Sequence, residues 1–313
     1  MQFSVYQQSH IGGRKVNQDR MGYSFTRDAL LLLLADGMGG HQGGEIAAGI
    51  AMQTVGQMFR VQARPYIKKA ERFLEEALLQ AHHDIQAYAV AHELPELPST
   101  TIVACLVQHN CAVWAHCGDS RLYWVRRNQV LARTRDHSHI EYLIERGRAD
   151  PSERATHPDR NKLYNCLGAS SAPKIELSPR ASLQPGDVLL LCSDGLWTML
   201  PDSEIVHRLA CEGGVVAAVP EMVRTAAAVG GAGADNTTAL GIMWQGADGD
   251  DGDLPYGAPN VISTQMLAAD QVSSTIIAAE PAPGEVDNFG QDDIEKAIAE
   301  IRAAIEKSSQ LIK

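Results

Sequence analysis

The chain has 313 residues, 45 % of them hydrophobic, enough to bury one large core or two ordinary ones. Its formal net charge of −11 argues against a nucleic-acid partner. The longest clean apolar run, residues 29–35, is too short to cross a membrane, and MQFSVYQQSH lacks the charged-then-apolar pattern of a secretory leader.

In chain order, the first polar group of note is Arg14, Asn17 and Asp19, ahead of any strong apolar run. The run ALLLLLA at 29–35 reads as a buried strand, and Asp36 follows it directly. The loop Asp36-Gly37-Met38-Gly39-Gly40-His41 leaves that strand, and glycine there lets the backbone approach a ligand closely. Helical patterns are expected over 44–60 and 66–92. Strands follow at 101–107, 111–117 and 121–126, with connections too short for a crossover helix, so both successive pairs are expected to be antiparallel hairpins. Asp119 lies one glycine beyond the second of them. A helix is expected over 138–147, a strand over 187–192 with Asp194 one serine later, and helices over 202–212 and 215–229. Asp235 stands just before a last strand at 238–244. The class is α+β: a largely antiparallel sheet core with helices packed outside it.

After Trp244 the character changes. Residues 246–290 read as a flexible acidic Gly/Asp/Pro/Thr-rich linker, and 291–313 as an amphipathic helix with Ile294, Ile298, Ile301 and Ile305 in one stripe. Residues 246–313 hold 13 acidic and 4 basic side chains, so most of the negative charge sits here. The domain boundary is placed at 245, with the chemistry in 1–245. The six cysteines form no CxxC pair and mostly lie in apolar runs, which suits a reducing, cytoplasmic compartment better than zinc or disulfides.

The positions of the aspartates are the informative pattern. Asp36, Asp119, Asp194 and Asp235 all fall at strand ends, where they can converge on one edge of the core. Carboxylates gathered and buried together repel and are costly to desolvate, and divalent cations remove that cost. Oxygen-only ligation suits Mg²⁺ or Mn²⁺, and the Gly37 carbonyl is a further oxygen donor. An EF-hand over 36–47 fails, because Met38 and Gly40 stand where ligands belong. An arginine near such ions, here Arg14, can grip phosphate bidentately.

These segments together resemble the metal-dependent protein phosphatases of the type 2C serine/threonine class, in their bacterial form. The matching pieces, in the family's order over residues 1–245, are RKVNQD at 14–19, DGMGGHQGGEIAA at 36–48, STT at 99–101, GDSRLY at 118–123, RDHS at 135–138, LGAS at 167–170, PGDVLLLCSDGLW at 185–197 and DNTT at 235–238. The resemblance implies a four-layer α-β-β-α sandwich of two mainly antiparallel sheets flanked by helices. It implies two Mn²⁺ or Mg²⁺ ions bridged by Asp36. Asp194 and Asp235 complete one ion, the Gly37 carbonyl and waters the other. Asp19 acts through water, Asp119 holds a third ion, Arg14 holds the substrate phosphate and Asn236 supports the ligand loop. Two such ions activate water for in-line attack on phosphorus, with no covalent enzyme intermediate. The implied partners are phosphoprotein substrates and a cognate serine/threonine kinase.

The chain departs from the pattern twice. Gln18 stands where many members carry a glutamate that orients water on the second ion, so that ion is expected to bind more weakly. Met38 stands where eukaryotic members place a candidate general acid, a role His41 or a metal-coordinated water could fill. Segment 138–166 occupies the position of the family's variable flap, and its Arg146, Arg148, Arg154, Arg160 and Lys162 are expected to suit acidic phosphopeptides. Two rival readings keep the fold: a regulatory phosphatase-like binding module, favoured only by Gln18, and a small-molecule phosphohydrolase. The isoleucine stripe over 291–312 calls for a partner groove or a second helix.

Overall fold

The computed structural model describes residues 1–246 apart from 39–42, 156, 160–161 and 212. The linker beyond Gly246 and the helix expected over 291–313 lie outside the described residues.

Two antiparallel sheets stack face to face. The first contains β1 (Gln2–His10), β7 (Arg121–Arg126), β8 (Gln129–Arg133), β11 (Val188–Cys192) and β12 (Thr237–Gly246), in the order β1-β12-β11-β7-β8. The second runs β10-β6-β5-β3-β2. It is built from β2 (Asp19–Phe25), β3 (Ala29–Met38), β5 (Ile102–Gln108), β6 (Cys111–Cys117) and β10 (Ala181–Ser182), with the short β4 (Ser99–Thr100) on β3 and β9 (Glu176–Leu177) on β6.

Strand alternation explains the continuous apolar runs, because each central strand is covered on both faces. In β3, Leu30, Leu32 and Leu34 enter the core between the sheets, where they meet Leu189, Leu191, Leu240 and Ile242. Leu31, Leu33 and Ala35 point the other way, into the layer formed by α1 (Gly44–Gln62) and α2 (Ala70–Ala91). The opposite outer layer is α5 (Asp202–Leu209) and α6 (Gly214–Gly230), packed on Tyr123, Leu190 and Ala239. The four layers are therefore α-β-β-α. The stretch Gly214–Gly233 is apolar and long enough to cross a membrane. Its Val215, Val219, Met222 and Val223 are instead in the core against the first sheet.

One expected hairpin does not form. The pair β5–β6 is antiparallel as expected, but β7 pairs with β11 and β8, not with β6. The intervening Gly118-Asp119-Ser120 carries the chain from one sheet to the other. Gly118 makes the turn at φ +111°, and a Cβ there would lie 2.6 Å from Thr101 Cβ. The short loop expected to close a hairpin is a change of sheet, and that change places Asp119 between the two layers. Strands β1, β2 and β8 were also missed. Each is an edge strand or is interrupted by polar residues and glycine, so its apolar run is weak.

Candidate metal centre

Five aspartates reach one end of the sandwich from five separate segments. Asp19 opens β2 and stands directly across from Asp36 in the β2–β3 ladder. Asp36 is held by the STT segment. Thr101 N donates to its carbonyl oxygen at 2.8 Å, Thr100 Oγ1 does so at 2.9 Å, and its own N–H donates to Thr101 Oγ1 at 3.1 Å. Asp119 sits in the crossover. Asp194 opens α4 (Asp194–Trp197) at the end of β11, and Asp235 precedes β12. Gly195 lets these last two segments touch, since a Cβ on it would fall 2.1 Å from Asn236 O.

The electrostatics are those of a carboxylate cluster that needs a counter-charge. Asp36 is held well above the usual carboxylate range by desolvation and by the charges of Asp19, Asp194, Asp119 and Asp235. Asp194 is raised by desolvation and by Asp119, Asp235 and Asp19. Burial pushes Asp119 up to about 7, with Asp136 adding and Arg121 opposing. Asp19 is pushed up to about 6 by burial, with the charge of Asp235 adding and the Ser193 hydroxyl opposing. Asp36 thus feels the charges of all four other aspartates, as a central bridging ligand would. Ser193 Oγ donates to Asp19 Oδ2 at 2.8 Å, while Asp19 Oδ1 is buried with no partner. An orphaned carboxylate oxygen within a set of hard oxygen donors fits a hydrated divalent cation.

Arg14 borders the cluster. Its Nη2 donates to Asp235 Oδ2 at 2.6 Å, and its side chain remains 59 % exposed. The loop carrying it rests on the Asp235 segment. A Cβ at Gly12 would lie 2.3 Å from Asp235 O, and Gly12 adopts φ +66°. Asn236 ties these parts together. Its Nδ2 donates to Ile11 O at 2.8 Å and Val16 O at 3.2 Å, and its Oδ1 accepts from Gln18 N at 2.8 Å. Gly37 is packed so closely that a Cβ would fall 2.1 Å from Gly44 O. Gln18 Nε2 donates to Glu45 Oε2. His41 lies outside the described residues.

Some neighbours of the site carried no role in the sequence reading. Arg121 grips Asp136 with two hydrogen bonds of 2.8 and 2.7 Å and lies 3.6 Å from the Trp197 ring centre. Trp197 Nε1 donates to Asp119 O at 3.0 Å. The GDSR, RDHS and SDGLW motifs are thus braces on one another, a relation that needs the fold to be seen. In the flap, Arg154 pairs with Glu141, and the five acidic side chains Glu141, Glu145, Asp150, Glu153 and Asp159 equal its five basic ones, so the segment carries no net positive charge.

Among the described residues one other group of metal-ligating side chains comes together: His116, His137 and Glu176, with ligand atoms within 4.8 Å of one another. Hydrogen bonding decides against an ion there. His137 Nδ1 accepts from Gly118 N at 3.1 Å and Asn165 Nδ2 at 2.7 Å, which puts the ring proton on Nε2, facing Glu176 Oε2 at 3.3 Å. A metal would need a lone pair where that proton sits. Burial, and then the neighbouring His116, push His137 down to about 4, so the cluster is a neutral histidine brace leaning on a carboxylate.

Comparison with known proteins gives the family. A family model described as protein phosphatase 2C matches residues 6–236. The chain belongs to the protein phosphatase 2C family. As a member it is a metal-dependent protein serine/threonine phosphatase. The serine/threonine phosphatase stp of Listeria innocua is 28 % identical over 241 residues, covering 75 % of this chain and 94 % of that one. The Mycobacterium tuberculosis serine/threonine phosphatase PstP/Ppp superposes with a TM-score of 0.70 at 27 % identity, over 78 % of this chain and 99 % of that one. The catalytic domain of PstP in complex with two manganese ions superposes with a TM-score of 0.66 at 27 % identity, over 77 % and 97 %. The phosphatase 2C match ends at Asn236, one residue beyond the last aspartate of the cluster.

Proposed function

We propose that Asp36, Asp194, Asp235, the Gly37 carbonyl, Asp119 and Asp19 hold Mn²⁺ or Mg²⁺ for the hydrolysis of phosphoserine and phosphothreonine in proteins. The observation that carries this is the convergence of five aspartates with one buried oxygen left unpartnered. When bound, two such ions lower the pKa of water and stabilise the phosphoryl oxygens.

The chain's own residues do the rest. Arg14 presents an exposed guanidinium to the substrate phosphate while Asp235 steadies it. Asn236 fixes the Arg14 loop and the Gln18 backbone in one register. Ser193 orients Asp19. No thiol is placed for attack. Cys105, Cys117 and Cys192 are buried, and burial pushes each thiol up, away from the nucleophilic thiolate.

Residues 1–246 form the catalytic unit in this reading, supported by β12 closing the first sheet against β1. A cognate serine/threonine kinase supplies the phosphoprotein, and the cytoplasm is the compartment, which the buried free thiols suit. The tail, with its stripe over 291–312, takes a helix-in-groove partner. Together the intact carboxylate set and the placed Arg14 speak against the binding-module reading. The deciding experiment is hydrolysis of a phosphothreonine peptide and of p-nitrophenyl phosphate with Mn²⁺, with EDTA, and in Asp36→Asn. Retained turnover after exhaustive chelation would refute the reading, and preference for sugar phosphates over the peptide would move it to small-molecule hydrolysis.

A further inference from the structure

Gln18 occupies the position where a glutamate was expected, and the fold sets a different carboxylate beside it. Gln18 Nε2 donates to Glu45 Oε2 at 3.1 Å. The Gln18 backbone is fixed from two sides of the metal centre: its N–H donates to Asn236 Oδ1 at 2.8 Å, and its carbonyl accepts from Gly37 N at 3.3 Å. Its amide passes over Gly44, where a Cβ would lie 2.8 Å from Nε2. A side chain on Gly44 would part the pair, so this glycine lets Gln18 and Glu45 meet.

Glu45 is well suited to stay charged. It lies in the first turn of α1, where backbone N–H groups favour an anion. Partial burial works against its charge. The Gln18 amide and the N–H groups of Glu45 and Gly43 outweigh that and hold its carboxyl below the usual range, with Arg20 assisting. Arg20 is itself bonded to the carbonyl oxygens of Asn17 and Asp19, both at 2.8 Å. An amide that donates to a carboxylate is polarised, so its carbonyl oxygen becomes a better acceptor.

We propose that Glu45 is a positioning residue that supplies, through the Gln18 amide, the negative charge supporting the second ion of the centre. The negative charge thus sits one hydrogen bond outward from position 18, on α1. This rests on the binuclear reading above.

The test is Mn²⁺ titration of the full chain by isothermal calorimetry, with the melting temperature in EDTA recorded as a check on folding. Wild type, Glu45→Gln and the exchanged pair Gln18→Glu/Glu45→Gln are compared. Glu45→Gln should weaken the weaker of two ions by about tenfold, the low end for an outer-shell ligand partner, and leave the tighter one unchanged. The exchanged pair should restore the weaker ion to within about threefold of wild type. Glu45→Asp keeps the charge on the helix end but withdraws it from Gln18, so it too should weaken that ion while leaving the melting temperature in place. Unchanged binding in Glu45→Gln, or a loss that the exchanged pair does not restore, overturns the proposal and leaves Glu45 a helix-end anion. A wild-type chain that takes up fewer than two ions overturns the binuclear reading itself, a result distinct from both.

Discussion

Arg14 Nη2 lies 2.6 Å from Asp235 Oδ2, so the cation assigned to the substrate phosphate and a carboxylate assigned to an ion hold each other across 221 residues of sequence. The two assigned ligands therefore compete with one another. Arg14→Ala should lower kcat/KM on p-nitrophenyl phosphate by roughly 30- to 100-fold, the loss of one charge-assisted grip. Arg14→Lys should recover only part, because an ammonium cannot reproduce the planar fork. In calorimetry, Arg14→Ala should bind Mn²⁺ at least as tightly as wild type, since Asp235 loses its rival. Undiminished turnover in Arg14→Ala would remove the residue from the site.

Asp36 is exposed to the charges of all four other aspartates. A carboxyl raised above its unfolded value favours the fold fully only below the unfolded pKa, and that favour is lost as pH rises through the folded value. For this cluster the loss falls from about pH 4, the ordinary value, upward past the about 6 of Asp19 and the about 7 of Asp119. Asp36→Asn removes one charge from the cluster. It should abolish turnover yet raise the melting temperature in EDTA, by about 2–4 °C per kcal/mol, and by more at pH 8 than at pH 5. An equal rise at both values would show that repulsion is not its source.

His137 carries the opposite sign. Its ring is fully buried and pushed down to about 4, below the ordinary 6.5. The unfolded chain therefore binds a proton that the fold refuses, and stability is lost as pH falls from 6.5 towards 4. About 3 kcal/mol is at stake at most, by the usual conversion of a displaced pKa. His137→Asn should flatten the melting-temperature profile over that interval whatever it does to the absolute value. A slope that matches wild type would place the acid sensitivity elsewhere.

The tail should be dispensable for chemistry. Every assigned ligand precedes β12, which pairs with β1 from Thr237 to Gly246. A chain ended at Gly246 should keep its rate on p-nitrophenyl phosphate and change its rate on phosphoprotein in a salt-dependent way, as a charged segment acting on association would. Loss of folding or of small-substrate turnover would mean the catalytic unit extends past Gly246.

What could be read without the fold followed the depth of burial. The ALLLLLA run announced β3 because both of its faces are covered, and the aspartates at strand ends stood out against such runs. Strand β1 did not stand out, since QFSVYQQSH has one edge free and buries mainly Phe3 and Val5 on the core between the sheets. The β6–β7 turn was misread because a three-residue loop fits a hairpin or a change of sheet equally well by length. Glu45, Trp197 and Ser193 act through partners 27, 78 and 174 positions away, and spacing along the chain says nothing about such pairs.

The β1–β12 ladder also bears on how the enzyme comes into being. Among the described residues, β1 has its only sheet neighbour in β12, paired from Gln2 with Gly246 to His10 with Thr237. During synthesis the first ten residues must wait, unpaired, while more than two hundred others emerge, and contacts of such long range are slow to close. Asp235 and Asn236, which anchor Arg14 and Gln18, arrive in the same final stretch. A nascent chain therefore lacks the partners that anchor Arg14 and Gln18 until this stretch has left the ribosome.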